Sequence, residues 1–116
     1  MLAKKYRLAK EKAFKRVYQK GKFFFTSNIN LRFAKNQEKN SRFGFVISKK
    51  ISKKATIRNR IKRQLSEIIR KNLKSIVKGK DIVIKVKKPY IEKDFNQKEQ
   101  ILVKIFKKNK LWQESE

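Results

Sequence analysis

Between Ile57 and Ile76 the apolar residues fall at Ile57, Ile61, Leu65, Ile68, Ile69, Leu73 and Ile76. Steps of three and four become one continuous stripe only on an α-helix, and Gly79 is the expected stop. Segments of a different period flank it. "RFGFVIS" puts Phe43, Phe45 and Ile47 on one face and Gly44, Val46 and Ser48 on the other, and "DIVIKV" aligns Ile82, Ile84 and Val86. Strand, helix, strand within one sheet requires a crossover, so the long helix must lie across one face of that sheet. The default hand of such a connection is right.

The remaining segments fit around this unit. Residues 6–20 carry Leu8, Ala9, Ala13, Phe14, Val17 and Tyr18 at helical spacing ahead of Gly21, and paired aromatics at that spacing read as core side chains. "KFFFTS" is a short aromatic strand, and "NINLRFA" alternates Ile29, Leu31 and Phe33 against Asn30, Arg32 and Ala34. Gly44 inside a strand marks a place where something approaches the backbone closely. Pro89 ends the strand after Val86. Asn96 and Glu99 have the spacing of a capping box for a last helix whose buried stripe is Ile101, Leu102, Ile105 and Phe106. Leu111 and Trp112 are expected to fold back onto the domain. With 116 residues and no linker composition, a single domain over 1–116 is expected.

One feature of the long helix conflicts with its own pattern. Steps of 100° place Arg60, Arg63, Glu67, Lys71 and Lys74 away from the apolar arc and Lys62 at its edge, but turn Arg58 into the arc. Either the first turn overhangs the core, or Arg58 is held there for a purpose beyond folding.

Composition decides between classes of function. The chain has 35 Lys plus Arg against 9 Asp plus Glu, a formal charge of +26. Such an excess opposes compaction and suits a polyanionic partner, which gains entropy as counterions leave. Because 27 of the cations are Lys, clustered Arg residues carry more information than the total. Cysteine and histidine are both absent, which removes thiolate and imidazole ligands and the commonest neutral-pH general base. Asp81 starts a strand, Glu92 and Asp94 sit in a loop, Glu99 reads as a cap, Glu114 and Glu116 are terminal, and Glu67 lies among Arg63, Arg70 and Lys71 as an ion-pair partner. An active site made by the protein alone is not expected. No apolar run approaches the length of a membrane span and the N-terminus lacks a signal-peptide centre, so a cytoplasmic protein is expected. RNA recognition combines basic side chains on phosphates with rings that stack on unpaired bases, and this chain offers both: the cationic helix start, and Phe14, Tyr18 and the strand "FFF" as candidate stacking surfaces.

The run "FGFVISKKISKKATIRNRIKRQLSEIIR" resembles the protein subunit of bacterial ribonuclease P, with its Arg-Asn-Arg and following Lys-Arg after a strand that ends in Ser-Lys-Lys. "YRLAKEKAFKRVYQKG" is similar to that family's first helix, and "DIVIKVKKP" to its last strand. The resemblance implies an α+β fold of order αβββαβα, ribosomal protein S5 domain 2-like, with a left-handed crossover in place of the default right-handed one. It implies a protein that binds a catalytic RNA and helps it remove the 5′ leader of precursor tRNA, with magnesium ions at the RNA active site and no metal held by the protein. By position, Arg58, Asn59, Arg60, Lys62 and Arg63 would contact the catalytic RNA, and Lys49, Lys50, Lys53 and Lys54 would add phosphate contacts. Phe14 and Tyr18 would line a groove for the leader with Asn30, Arg32, Gly44, Val46 and Ser48. Gly44 would keep that groove wide.

Two positions depart from the pattern. Position 32 is Arg where some relatives carry an aromatic, so the groove is expected to lean on phosphate charge. Ser66 stands where a further Arg can occur. The competing readings are a ribosomal or other structural RNA-binding protein, which leaves a groove unexplained, and a metal-dependent nuclease acting alone, which the scattered acids oppose.

Overall fold

A computed structural model describes residues 2–113. A 3-10 turn at Lys4–Tyr6 leads to α1 (Glu11–Lys20), β1 (Lys22–Phe25), β2 (Ile29–Lys35), β3 (Arg42–Val46) and α2 (Ala55–Asn72). A second 3-10 turn, Leu73–Ser75, precedes β4 (Lys80–Val86), the single-turn α3 (Lys88–Ile91) and α4 (Phe95–Lys108). The sheet order is β1-β2-β4-β3, with β2 antiparallel to both neighbours and β3 parallel to β4. The α+β order expected from the sequence is therefore present, with α2 as the crossover between adjacent parallel strands. No helix among the described residues is long and apolar enough to cross a membrane.

Register sorts the sheet into two faces. Phe24, Leu31, Ile84 and Phe45 align across the strands, as do Phe33, Ile82 and Phe43, and these rows meet Ile61, Leu65, Ile68 and Ile69 of α2 and Leu102, Ile105 and Phe106 of α4 in the main core. The alternate rows form the opposite face: Phe25, Asn30, Lys85 and Val46; then Phe23, Arg32, Val83 and Gly44; then Ala34, Asp81 and Arg42. α1 lies on this second face through Val17, which packs with Leu8 and Val83 and with Ala13, Phe14, Ala34 and Val46.

Several local expectations are corrected. Helix α1 starts at Glu11 rather than residue 6, because the Leu8 N–H donates to the Phe43 carbonyl at 2.9 Å and Arg7 bridges Phe43, covering the outer edge of β3. Helix α2 ends at Asn72, not at Gly79, and Ile76 instead pairs with Trp112 as the chain end folds back. Gly79 has φ of +79° and makes the turn into β4. The capping box of α4 is Asp94 with Gln97, not Asn96 with Glu99: the Asp94 carboxylate accepts from the Gln97 N–H at 2.8 Å, and the Gln97 side chain accepts from the Asp94 N–H at 3.1 Å. Glu99 accepts from Asn72 and Lys71 of α2 and so joins the two helices. Glu114 and Glu116 lie outside the described residues.

Candidate nucleic-acid interface

The start of α2 concentrates positive charge for reasons visible in its backbone. Its first turn contains no acid, and no side chain caps its free N–H groups. An uncapped helix start is itself electropositive and suits an oxyanion. Lys49, Lys50, Lys53, Lys54, Asn59, Arg60 and Arg63 are exposed there, while Arg58 and Lys62 are half-buried. None of these cations pairs with an acid among the described residues. The conflict at Arg58 resolves: its guanidinium turns back and donates from Nη1 to the Ser52 carbonyl at 2.8 Å, bracing the turn that leads into the helix. Glu67 pairs with Arg70, which holds its carboxyl below the usual range, so it is not available as a base.

Behind this face, Lys98 of α4 is buried and donates to Gln64 Oε1 at 2.7 Å. Burial, and then the Arg60 charge, push Lys98 down from its ordinary value. Ser66 is buried, with its hydroxyl donating to the Lys62 carbonyl at 2.8 Å, so this position contributes to packing and no charge to the exposed face.

A groove runs over the second sheet face beside α1. Tyr18, Phe25, Asn30, Arg32, Val83 and Lys85 line it. The Arg32 guanidinium sits 4.8 Å from the Tyr18 ring centroid, 5.2 Å from Phe25 and 5.7 Å from Phe23. Those three rings are 43%, 49% and 64% exposed, so the core reading of Tyr18 is overturned and the strand "FFF" presents two rings to solvent. Phe14 is half-buried, packed over Gly44. Its ring fills the space where a Gly44 side chain would stand, so Gly44 shapes the groove by admitting Phe14 rather than by lining open space. Val46 is half-buried in the row nearest the groove, and Ser48 accepts from the Ile51 N–H in the turn that follows β3. The Oδ1 atoms of Asn28 and Asn30 are buried without a partner, and Asn30 is a lining residue.

The chain itself leads from the groove face toward the cationic segment ahead of α2. Val46 ends β3 in the row that holds Asn30 and Lys85, and Lys49 follows three residues later, no more than about 11 Å along the chain. Phe23 and Phe25 belong to the strand "FFF" that the sequence offered as a stacking surface, whereas Lys85 and Val83 were not singled out, although the alternation of "DIVIKV" already sets them opposite Ile82, Ile84 and Val86. A larger basic concavity, about 640 Å³, lies elsewhere, between Lys4, Lys5, Arg7 and Lys10 of the N-terminal segment and Lys39 and Arg42.

A family model described as Ribonuclease P matches residues 2–110. The chain belongs to the ribonuclease P protein family. A ribonuclease P protein component from Cyanothece sp. (strain PCC 7425 / ATCC 29141) is 41% identical, with 84% of this chain and 86% of that protein covered. One from Bacillus cereus (strain B4264) is 37% identical over 93% of this chain and 94% of its own length. Among solved structures, the Staphylococcus aureus RNase P protein superposes with a TM-score of 0.83 at 29% identity, covering 92% of this chain and 97% of that one. The Thermotoga maritima RNase P protein does so with a TM-score of 0.80 at 33% identity, covering 88% and 96%. Membership implies an RNA-binding protein that works in an endoribonuclease with the ribonuclease P RNA, in processing the 5′ end of tRNA.

Proposed function

We propose that the protein binds the catalytic RNA through the start of α2 and the 5′ leader of precursor tRNA in the groove beside α1, so that the RNA performs the cleavage. The observation that carries this reading is the presence of two distinct surfaces on one small domain: a cationic cluster at the start of α2 with no acid partner among the described residues, and a groove walled by exposed rings on the other sheet face. Arg60 and Arg63 present planar forks for bidentate phosphate contacts, and Lys49, Lys50, Lys53, Lys54 and Lys62 supply point charges. Asn59 sits exposed between Arg58 and Arg60. In the groove, Tyr18 and Phe14 offer ring edges and faces, Arg32 and Lys85 offer charge, and Asn30 offers an unpartnered polar atom. A single strand fits such a surface because its bases are free to stack.

Magnesium would belong to the RNA. Among the described residues no group of three or more acids is placed to hold a metal, and the one buried carboxylate, Asp81, is occupied by cationic and amide donors. On this reading the residues of this chain bind and orient, and none is assigned a proton transfer. Work in the cytoplasm fits these partners.

The test is leader removal from precursor tRNA by a matching catalytic RNA at low magnesium, with and without the protein. Stimulation that grows with leader length supports both surfaces. A protein that leaves the rate unchanged while binding the RNA would refute the proposed assistance.

A further inference from the structure

Asp81 is wholly buried yet lies outside both nucleic-acid surfaces. Its Oδ1 accepts from Arg42 Nε at 2.9 Å and Asn36 Nδ2 at 2.8 Å, and its Oδ2 accepts from Arg42 Nη2 at 2.8 Å and Arg16 Nη2 at 2.9 Å. The bidentate Arg42 pair and the Asn36 amide fill three of the carboxylate's roughly four acceptor sites. The Arg16 side chain, 35% exposed, fills the fourth. What Arg16 adds is a link to a different element, α1.

The placement of α1 shows what that link controls. The helix rests on the sheet along Val17, which is fully buried. Phe14 and Tyr18 lie on one edge, over the groove, while Lys12 and Arg16 lie on the other, beside Glu38 and Arg42. At the C-terminal end, Gly21 closes against the backbone, where an added Cβ would stand 2.7 Å from the Phe33 carbonyl oxygen and 2.4 Å from that of Val17. A helix held at one end and seated on a line of apolar contacts retains one easy motion, a roll about its axis. A bond on one edge opposes that roll and sets the height of the other edge.

We propose that the Arg16–Asp81 ion pair is a positioning device for the groove, fixing the roll of α1 and with it the reach of Phe14 and Tyr18 over Gly44 and Arg32. The inference rests on the reading of the groove as the leader site. Arg16 acts through Phe14 and Tyr18 and touches no substrate.

The test uses the holoenzyme reconstituted with a matching catalytic RNA and two precursors, one with a leader long enough to fill the groove and one with a single leader nucleotide. Arg16→Gln should raise KM for the long-leader precursor about five- to tenfold with kcat unchanged. It should leave the short-leader precursor and the affinity for catalytic RNA unaltered. Arg16→Lys should recover most of the loss. Lys12→Gln, the same charge change on the same helix edge, should have no more than about a twofold effect. If Arg16→Gln behaves like Lys12→Gln while Phe14→Ala still weakens the long-leader precursor, the positioning role is refuted and the groove reading stands. If Phe14→Ala is equally silent, the groove reading fails and the proposal falls with it. Equal losses for both precursors would also overturn it, since they would assign Arg16 to folding or to the tRNA body.

Discussion

The Phe14 ring occupies the place of a side chain at Gly44: a Cβ added there would fall 2.6 Å from Phe14 Cζ and 2.8 Å from Cε1. The ring tip is the mobile partner of that contact, so Gly44→Ala should swing Phe14 outward rather than break the strand. The expected result is a loss of precursor affinity of about 1 kcal/mol, roughly fivefold, with catalytic RNA affinity preserved. Filter binding of each RNA to the variant measures both quantities. Equal weakening of the two would show that the strand itself had been disturbed.

Arg60 separates the two surfaces from the other side. It is exposed and has no acid partner among the described residues, so truncation leaves no buried group unpaired. Arg60→Ala should lower affinity for the catalytic RNA and reduce the slope of log affinity against log salt by about 1, the signature of one lost phosphate contact. The melting temperature should stay within a degree or two of the parent, by the general tolerance of surface substitutions, about ±0.5 kcal/mol. A salt series read by fluorescence anisotropy would decide it.

What could be read from the chain beforehand follows the reach of each interaction. The alternation of Ile29, Leu31 and Phe33 and of Ile82, Ile84 and Val86 is a local pattern with one solution, and all six residues are buried. The cationic start of α2 was equally legible, because charge at a helix start needs no partner to be recognised. The end of α2 was not: Leu73 and Ile76 keep the helical period, but Leu73 is half-buried in a 3-10 turn and Ile76 is buried through a pairing with Trp112, 36 residues away. Leu8 likewise fits a helix, but its N–H donates to the Phe43 carbonyl at the edge of β3. Asn96 and Glu99 satisfy the capping-box spacing as well as Asp94 and Gln97 do, and the choice falls to Asn72, which holds Glu99 across the helix pair. Asp81 was read only as the start of a strand, since its donors sit 65, 45 and 39 residues away and no local signal joins them. For Tyr18, 43% exposed, and Phe14, half-buried, the periodicity favoured the core, while the stacking chemistry of RNA recognition and the family resemblance favoured a surface role.

Acid should act through Asp81. Burial alone would raise its carboxyl, but donors from Arg42, Asn36 and Arg16 outweigh burial and hold it below the ordinary carboxylate range. A lowered folded-state value means the stabilisation is present above the unfolded-state value, about 3.8, and is lost as pH falls through the lower folded value. Asp81→Asn should therefore cost about 2 to 3 kcal/mol at neutral pH, less than a fully enclosed pair because both arginines reach water. It should also flatten the fall in stability on acidification. Glu99, held low by Asn72 and then Lys71, adds to the same fall and should leave a residual slope. Urea midpoints at neutral and acid pH for parent and variant give the comparison, and parallel curves would remove Asp81 from the account.

Arg32 decides whether the groove works by charge or by stacking. It lies within 4.8 to 5.7 Å of three ring centroids, and each such contact at an exposed site contributes about 0.5 to 1 kcal/mol. The rings are therefore partly committed to Arg32 before RNA arrives, while its charge remains available to a phosphate. Arg32→Ala should free Tyr18 and Phe25 but remove the charge, lowering precursor affinity about tenfold at low salt and much less at high salt. Arg32→Tyr should restore affinity at high salt by adding a stacking ring, yet keep the salt slope reduced by about 1. Binding of long-leader precursor to the holoenzyme across a salt series separates the two. A Tyr variant that matches Ala at every salt concentration would mean that Arg32 acts through charge alone and that the surrounding rings support it rather than the base.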